Sequence, residues 1–539
     1  MNELLRNSKV ILLTIFIAFG GFLFGYDMGV ISGCLIMPDF IDRFGQGPPG
    51  SRVLTSSRQS IITSVISAGT FLGSLSQSLT SDRLGRRPSL LLWSFIFTVS
   101  IAIQTSTDTS LAQLTIGRFV AGLGVGAMSA IVPLYNGETA PQRLRGAMLV
   151  MYQLQINVGF LASYVIEQGT HTLPASASWR VPIGLQMLWG LILLSGMFFL
   201  PESPRHLLYL ARPAAARKVV AQMNGSASEA EVDAIIKEME WGLRMENEGG
   251  SAGWGECFSG NARMWRRTVN GMMLQGLQQI NGQNFYYYYG DTFFKSAGAP
   301  LSPYSIQTIL GAVSVAGTIP SLVLIETLGR RNSLLIGAAL QAAFALTAGL
   351  VGHFTLAPTG TPSSLLTPRN RSGGAVLIAF AVLQVFAFSM SWGPAPWVYV
   401  GESFPLRVRS RCVALATATN WIWNFLGSFF SPRIAARIGP LILLVFCGIL
   451  VFAFGYVYLF IPETKGLRLE EVDEMYRSGV KPWKSGEWRP RLFDEDDGGD
   501  GDGVGEQKEG SVGDEEPRGD DGPTEEKGRA QVHVEEEKL

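Results

Sequence analysis

From Val10 to Phe460 the chain is a succession of apolar runs, each about as long as a bilayer is thick. A spanning helix needs about 20 apolar residues, and we read such runs near 11–36, 61–80, 89–107, 111–134, 147–167, 181–200, 269–291, 305–325, 333–353, 374–399, 411–431 and 439–461. Charged residues make up only 16% of the chain, against about 25% in soluble domains. In hydrocarbon every backbone polar group must be satisfied internally, which leaves closed barrels or helices. Runs of this length dictate helices, so the expected fold class is an all-α integral membrane protein with twelve transmembrane helices. The first run is too long for a secretory signal and no small-residue cleavage site follows its core, so it reads as a retained span.

Arginines mark one face. Arg83, Arg86 and Arg87 follow the second run, Arg143 and Arg145 the fourth, Arg330 and Arg331 the eighth, and Arg407, Arg409 and Arg411 the tenth. The positive-inside rule puts these loops, and with them both termini, in the cytosol; Arg433 and Arg437 fall on the other side as exceptions. The polar segment between runs six and seven divides the chain into a six-helix half at 1–205, a cytosolic linker at 206–267, a second half at 268–480 and an acidic tail at 481–539. Within the linker, Ser228 and Glu231 form a capping-box pattern. Val232, Ile235, Ile236, Met239 and Leu243 follow at helical spacing, so one or two amphipathic helices should lie beneath the membrane domain. From Asp494 on, Asp, Glu and Gly dominate, a composition that does not bury a core. Asn370-Arg371-Ser372 matches a glycosylation acceptor on the outer side, and an unused triplet fits as well.

The chain repeats itself. DRLGRR at 82–87 returns as ETLGRR at 326–331, NGETAPQRLRG at 136–146 as VGESFPLRVRS at 400–410, and PESPR at 201–205 as PETKG at 462–466. Three pairs in one order at similar separations imply two parallel halves with a pathway between them. These motifs resemble the sugar-porter family of the major facilitator superfamily over roughly residues 10–480. With QQINGQNFYYYYG at 278–290 they look most like fungal monosaccharide (hexose or xylose) transporters.

That resemblance implies a major facilitator fold and assigns residues. Asp82, Arg86, Arg87, Glu138, Arg145 and Glu202 in the first half, and Glu326, Arg330, Arg331, Glu402, Arg409 and Glu463 in the second, would form cytosolic ion-pair latches. Partly exposed pairs suit this role, since each is worth only about 0–1 kcal/mol and can be remade. Glu326 stands where the first-half copy has an aspartate, and a looser second latch is expected. Gly85 and Gly329 should permit tight turns.

Run seven carries Gln275, Gln278, Gln279, Asn281, Gln283 and Asn284. Carboxamides both donate and accept, as sugar hydroxyls do, and unpartnered amides are costly in a membrane. Bonds between helices would also account for them. Residues 275, 278, 279 and 282 fall on one helical face. The resemblance narrows the substrate-binding set to Gln153, Gln278, Gln279, Asn284, Tyr288 (with Tyr289 beside it near an outer gate), Gly393, Trp397, Asn420 and Trp421. Pro394 and Pro396 should break the tenth run. Ser314 replaces an asparagine common among relatives, Phe160 a glutamine of the bacterial xylose symporter, and Gln283 an isoleucine of animal glucose carriers.

Asp27 lies alone among apolar residues and glycines in GYDMGVISG at 25–33. A carboxylate at a helix centre costs about 2.5–3.5 kcal/mol on insertion scales, so it faces a cavity or a partner. Arg118 is the matching opposite charge. Proton symporters of the family carry this pair, and yeast facilitators keep the acid without coupling, so proton symport and uniport both stay open. Gly122, Gly124 and Gly126 read as helix-packing positions.

The expected function is monosaccharide transport by alternating access at the plasma membrane, with the bilayer, the sugar and a proton as partners. A facilitative uniporter and a nutrient sensor with little flux are the alternatives. No enzyme signature, cofactor or nucleic-acid partner is expected. The four cysteines are scattered and suggest neither a metal site nor a disulfide framework.

Overall fold

The computed structural model describes residues 8–48, 51–139, 145–223, 228–247, 253–260, 263–296, 302–356, 367–467 and 469–489. The acidic tail from Asp494 and the side chains of Arg145 and Arg407 lie outside them. The helices are α1 Ser8–Cys34, α2 Pro38–Phe44, α3 Ser56–Leu84, α4 Arg86–Thr105, α5 Leu111–Thr139, α6 Arg145–Thr170, α7 Ala177–Met197, α8 Pro204–Tyr209, α9 Pro213–Met223, α10 Glu229–Asn247, α11 Met264–Ile280, α12 Gln283–Ser296, α13 Pro303–Leu328, α14 Arg330–Thr355, α15 Pro368–Met390, α16 Ala395–Ser403, α17 Leu406–Ile438, α18 Ile442–Phe460 and α19 Leu469–Ser478.

Nine stretches among the described residues are long and apolar enough to cross a membrane by length and composition. One of them holds both α17 and α18, separated by only a 3-10 turn at Gly439–Leu441. The remaining two of the twelve crossings are α3 and the broken pair α11–α12, the two richest in hydroxyls and amides. Several α3 hydroxyls bond their own helix, Ser64 to the Ser60 carbonyl at 2.6 Å and Thr70 to the Ser67 carbonyl at 2.8 Å, and others bond the second half, Ser67 to Asn424 at 2.7 Å. That lets a polar helix sit inside the bundle.

Two crossings are interrupted where backbone conformation demands it. Run seven reads as continuous from sequence, but α11 ends at Ile280 and Gly282 takes φ +98°, so residue 282 leaves the face shared by 275, 278 and 279. Run ten breaks between Met390 and Ala395, next to Pro394 and Pro396 as their chemistry requires.

Helices meet at glycines. α1 lies along α6 and α3 along α5. A Cβ on Gly25 would run into the Ile156 carbonyl, and one on Gly122 or Gly126 into the carbonyls of Ile66 or Thr70. The halves join along two seams, α3 with α17 and α6 with α13. On the face carrying the repeated arginine motifs, α9 and α10 pack through Ala216, Val220, Val232 and Ile236. Ser228 and Glu231 cap α10 reciprocally, at 3.0 and 3.3 Å. α19 is tied to the start of α11 by Arg267 and Asp473, 2.6 Å apart. On the opposite face, Asn370 lies in the capping box of α15, and its amide nitrogen donates to the Thr355 carbonyl at 2.8 Å. The nitrogen that a glycan would need is thus engaged within the fold.

Gly25→Ala should cost roughly 1–3 kcal/mol by overpacking. Gly184→Ala, whose Cβ would sit 3.5 Å from Thr105, should be silent. Thermal unfolding of the purified variants followed by size-exclusion fluorescence reads the difference.

Candidate functional site

Each repeat builds the same charged cluster at its motif face. Arg86 binds Glu138 through Nε (3.1 Å) and Nη2 (2.8 Å), and Arg330 binds Glu402 at 2.9 and 2.7 Å. Arg86 and Arg330 also donate to the carbonyls of Ser81 (3.0 Å) and Ile325 (3.1 Å). Glu202 accepts the backbone N–H groups of Arg86 and Arg87, at 3.0 and 3.2 Å; Glu463 accepts those of Arg330 and Arg331, at 2.8 and 3.1 Å. Each glutamate therefore caps the free amides of a helix N-terminus and complements its dipole. Gly85 (φ +105°) and Gly329 (φ +87°) turn the chain there, and a Cβ on either would strike the capping glutamate. Arg87 and Arg331 close the neighbouring helix ends, donating to Met197 (3.0 Å) and Tyr458 (3.1 Å).

Sequence reading missed the residue after each glutamate. Ser203 donates to Glu138 at 2.6 Å and Thr464 to Glu402 at 3.1 Å. The PES/PET echo was the available signal. His206 was missed as well. Its Nδ1 accepts from Arg86 at 3.3 Å, which requires a neutral ring. Burial first, and then the Arg86 charge, push its pKa down to about 4. Burial also raises the Glu202 carboxyl above its ordinary value, against the three backbone donors.

The second cluster is not the looser one. Glu326 reaches Arg330 at 3.1 Å, because glutamate is one methylene longer. Asp82 instead lies beside Arg86 and faces Ser410 and Arg411 of the other half. The halves also touch here where Arg409, bonded to the Gly401 carbonyl at 2.7 Å, presses on Gly137.

The amides converge at the break between α11 and α12. Gln278 donates to the carbonyls of Trp392 (3.0 Å) and Gly393 (2.6 Å). Asn420 donates to Gln275 (2.6 Å) and Gln278 (2.8 Å), and Asn284 to Gln279 (2.6 Å). Asn424, absent from the sequence list though one turn beyond Asn420, donates to Gln279 at 2.9 Å. Trp397 lies edge-on to Tyr152 of the first half, centroids 5.6 Å apart. Trp421 meets Phe24 edge-on at 4.9 Å and donates to Ser129 at 3.1 Å. Gln153 reaches toward Gly393. On the face opposite the motifs, Tyr289 bonds Thr63 (3.0 Å), Tyr288 approaches the Met28 sulfur (3.1 Å), and Arg433 bonds Ser60 (3.1 Å). Contacts between the halves thus lie on both sides of the amides, and Arg433, an exception to the charge rule, is one of them.

Asp27 and Arg118 are buried together, 3.9 Å apart. Arg118 Nε is held by the Ile62 carbonyl at 2.9 Å, while among the described residues neither Asp27 oxygen accepts a hydrogen bond of ordinary geometry. The geometry is that of a loose pair. Two cysteines that looked unrelated, Cys257 and Cys412, share one buried cluster around Thr268. Among the described residues no group of three or more His, Cys, Asp and Glu side chains is placed to hold a metal.

A family model described as "Sugar (and other) transporter" matches residues 13–476. Hexose transporter 2 of Kluyveromyces lactis is 41% identical over 489 residues, covering 89% of this chain and 85% of that protein. A high-affinity hexose transporter of Saccharomyces cerevisiae is 40% identical over 487 residues, covering 89% and 84%. Among solved structures, the proton:xylose symporter XylE bound to 6-bromo-6-deoxy-D-glucose superposes with a TM-score of 0.74 at 25% identity, over 87% of this chain and 100% of that one. The inward open form of the xylose transporter XylE from E. coli gives 0.66 at 24%, over 86% and 99%. The chain belongs to the sugar transporter family, on the twelve-helix major facilitator fold. It is a multi-pass membrane carrier of sugars and not an enzyme.

Arg330→Ala would strand the buried Glu402, a loss of about 3–5 kcal/mol, and should abolish stable expression, whereas Glu402→Gln should retain it; immunoblots of membrane fractions decide. His206 stays neutral in the folded state while the unfolded chain takes up a proton near pH 6.5. Its stability contribution is complete above pH 6.5 and is lost as pH falls toward about 4. His206→Gln should flatten the acid limb of a melting-temperature profile across that window.

Proposed function

We propose that this carrier moves a neutral monosaccharide of the glucose or xylose type across the plasma membrane by alternating access, with both termini cytosolic and a proton as co-substrate. The observation that carries the sugar assignment is the amide array of Gln278, Gln279, Asn284, Asn420 and Asn424, gathered where α11 breaks and joined to the Gly393 carbonyl. Carboxamides that bond one another can re-pair with hydroxyls of either sense. An indole such as Trp397 suits the apolar face of a sugar ring. The hexose-transporter names of the yeast relatives and the glucose derivative bound to the xylose symporter support the same substrate class.

Alternating access is supported by the contacts between halves on both sides of the amides. The latch is assigned to the paired clusters, with Asp82, Arg86, Arg87, Glu138 and Glu202 facing Glu326, Arg330, Arg331, Glu402, Arg409 and Glu463. The arginine distribution supports the orientation.

Coupling is assigned to Asp27 and Arg118. A buried pair 3.9 Å apart, whose carboxylate accepts no hydrogen bond of ordinary geometry among the described residues, can be opened by one proton. Arg118 would stay anchored on Ile62 while α1 shifts. The test is labelled hexose uptake in cells lacking their own hexose carriers, with external pH recorded. Accumulation above the external concentration, alkalinisation on sugar addition and collapse by a protonophore are expected, and Asp27→Asn should leave only downhill exchange. Uptake indifferent to a protonophore and to Asp27→Asn would establish uniport; absence of flux for every monosaccharide would remove the carrier reading.

A further inference from the structure

α11 and α18 leave a groove between them on the outer surface of the second half. Its volume is about 420 Å³, and Met273, Gly276 and Ile280 of α11, Trp423 of α17, and Gly448 and Phe452 of α18 line it. Two glycines make it. A Cβ on Gly276 would strike the Trp423 indole at 2.7 Å, so the ring lies across that glycine as a floor. A Cβ on Gly448 would meet nothing within 4 Å. Trp423 and Phe452 are exposed, so the groove opens outward to where hydrocarbon would be. A smaller groove of about 210 Å³ shares Ile280 and Trp423 and continues to Gly282, at the break between α11 and α12.

Toward the motif face the same seam closes. The Tyr456 hydroxyl donates to Asn270 Oδ1 at 2.9 Å, and Asn270 Nδ2 donates to the Phe460 carbonyl at 3.0 Å. The rings of Phe452, Tyr456 and Phe460 follow one another along α18, centroids 6.3 and 5.0 Å apart. On α11, Arg266, Asn270, Met273, Leu277 and Ile280 recur at the spacing of one helical face. Arg266 is exposed at the head of that stripe, its guanidinium 5.2 Å from the ring centre of exposed Trp265. Its neighbour Arg267 is buried and takes Asp473 at 2.6 Å. Among the described residues Arg266 has no acidic partner. Trp254 and Phe258 are exposed on the turn before α11.

These positions select an occupant. Gly276 lies ten residues beyond Arg266, about 15 Å along a helix, or half of a hydrocarbon core of about 30 Å. Exposed tryptophans beside an arginine mark the headgroup level. The groove then sits at the depth where the acyl chains of one leaflet end. A guanidinium without a carboxylate at headgroup level attracts an anionic head, and its planar fork suits the oxygens of a phosphodiester.

We propose that the α11–α18 groove binds one anionic phospholipid from the leaflet on the motif face. Its head lies on Arg266 and Trp265. One acyl chain runs along Phe460, Tyr456 and Phe452 into the slot between Gly276 and Gly448. The chain ends against Ile280, beside the break at Gly282, and so supports the interrupted crossing that carries Gln278 and Gln279. That this leaflet is cytosolic rests on the proposed orientation; the site itself does not.

The test is thermal unfolding of the purified full chain in mixed micelles, titrated with dioleoylphosphatidylserine or dioleoylphosphatidylcholine, with native mass spectrometry counting bound lipid. Neither readout depends on orientation or on sugar flux. We expect phosphatidylserine to raise the melting temperature at lower concentrations than phosphatidylcholine. Arg266→Gln, at an exposed position, should weaken phosphatidylserine by about fivefold, the worth of one basic group at an anionic surface, and leave phosphatidylcholine unchanged. Gly448→Leu, whose side chain enters open space, should abolish the response to both lipids, and Gly448→Ala should reduce it less. Val451→Leu, exposed on α18 outside the groove, should titrate like the unaltered protein. A response of Gly448→Leu and Gly448→Ala equal to that of the unaltered protein would overturn the proposal, as would an undiminished preference for phosphatidylserine in Arg266→Gln. A full shift produced by glycerophosphoserine, which has the head and no chains, would overturn it too.

Discussion

Everything in this fold follows from the cost of an unpaired polar group away from water. The bundle interior holds amides, hydroxyls, carboxylates and guanidinium groups in numbers that hydrocarbon alone would not tolerate. They are admitted because each cluster is largely self-satisfying. Gln278 bonds backbone carbonyls exposed where α15 ends, Ser64 and Thr70 bond their own helix, and Arg86 fills the carboxylate of Glu138. Because many partners lie on the opposite half, satisfying these groups and joining the halves are one problem.

The charged clusters show what internal duplication preserves. Helix α4 and helix α14 each begin at a positive-φ glycine, are capped by a glutamate from a distant segment, and send their first arginine into a buried glutamate that a hydroxyl also donates to. The differences are local. Glu326 reaches its arginine where Asp82 turns to the other half. A symmetric pair of clusters with one asymmetric acid gives the two halves unequal contacts at the same face.

Much of this was legible in sequence because helices that must lie in hydrocarbon advertise their length, and because repeated motifs advertise their twin. The spans, the amphipathic linker helix with its cap, the glycine turns, the broken tenth run and the family all came from local pattern. The break after Ile280 was hidden, since Asn281 and Gly282 carry no proline and the apolar run continues past them. Asn424 was within reach, one turn beyond Asn420. Ser203, Thr464 and His206 were not singled out, since a hydroxyl or imidazole at a loop has many uses and nothing nearby names its partner.

The sequence by itself determined which segments cross the membrane, that they form two related halves, and which residue types the amide array and the charged clusters contain. Tertiary structure alone decided the pairings: Asp27 with Arg118 but loosely, Asn157 with Thr318, Cys257 beside Cys412, Arg267 with Asp473. The reason is physical. Span length and polarity are properties of neighbouring residues and of the solvent they meet. A hydrogen bond or ion pair depends on atoms brought together by packing, and the seams that bring them together run between helices far apart in the chain.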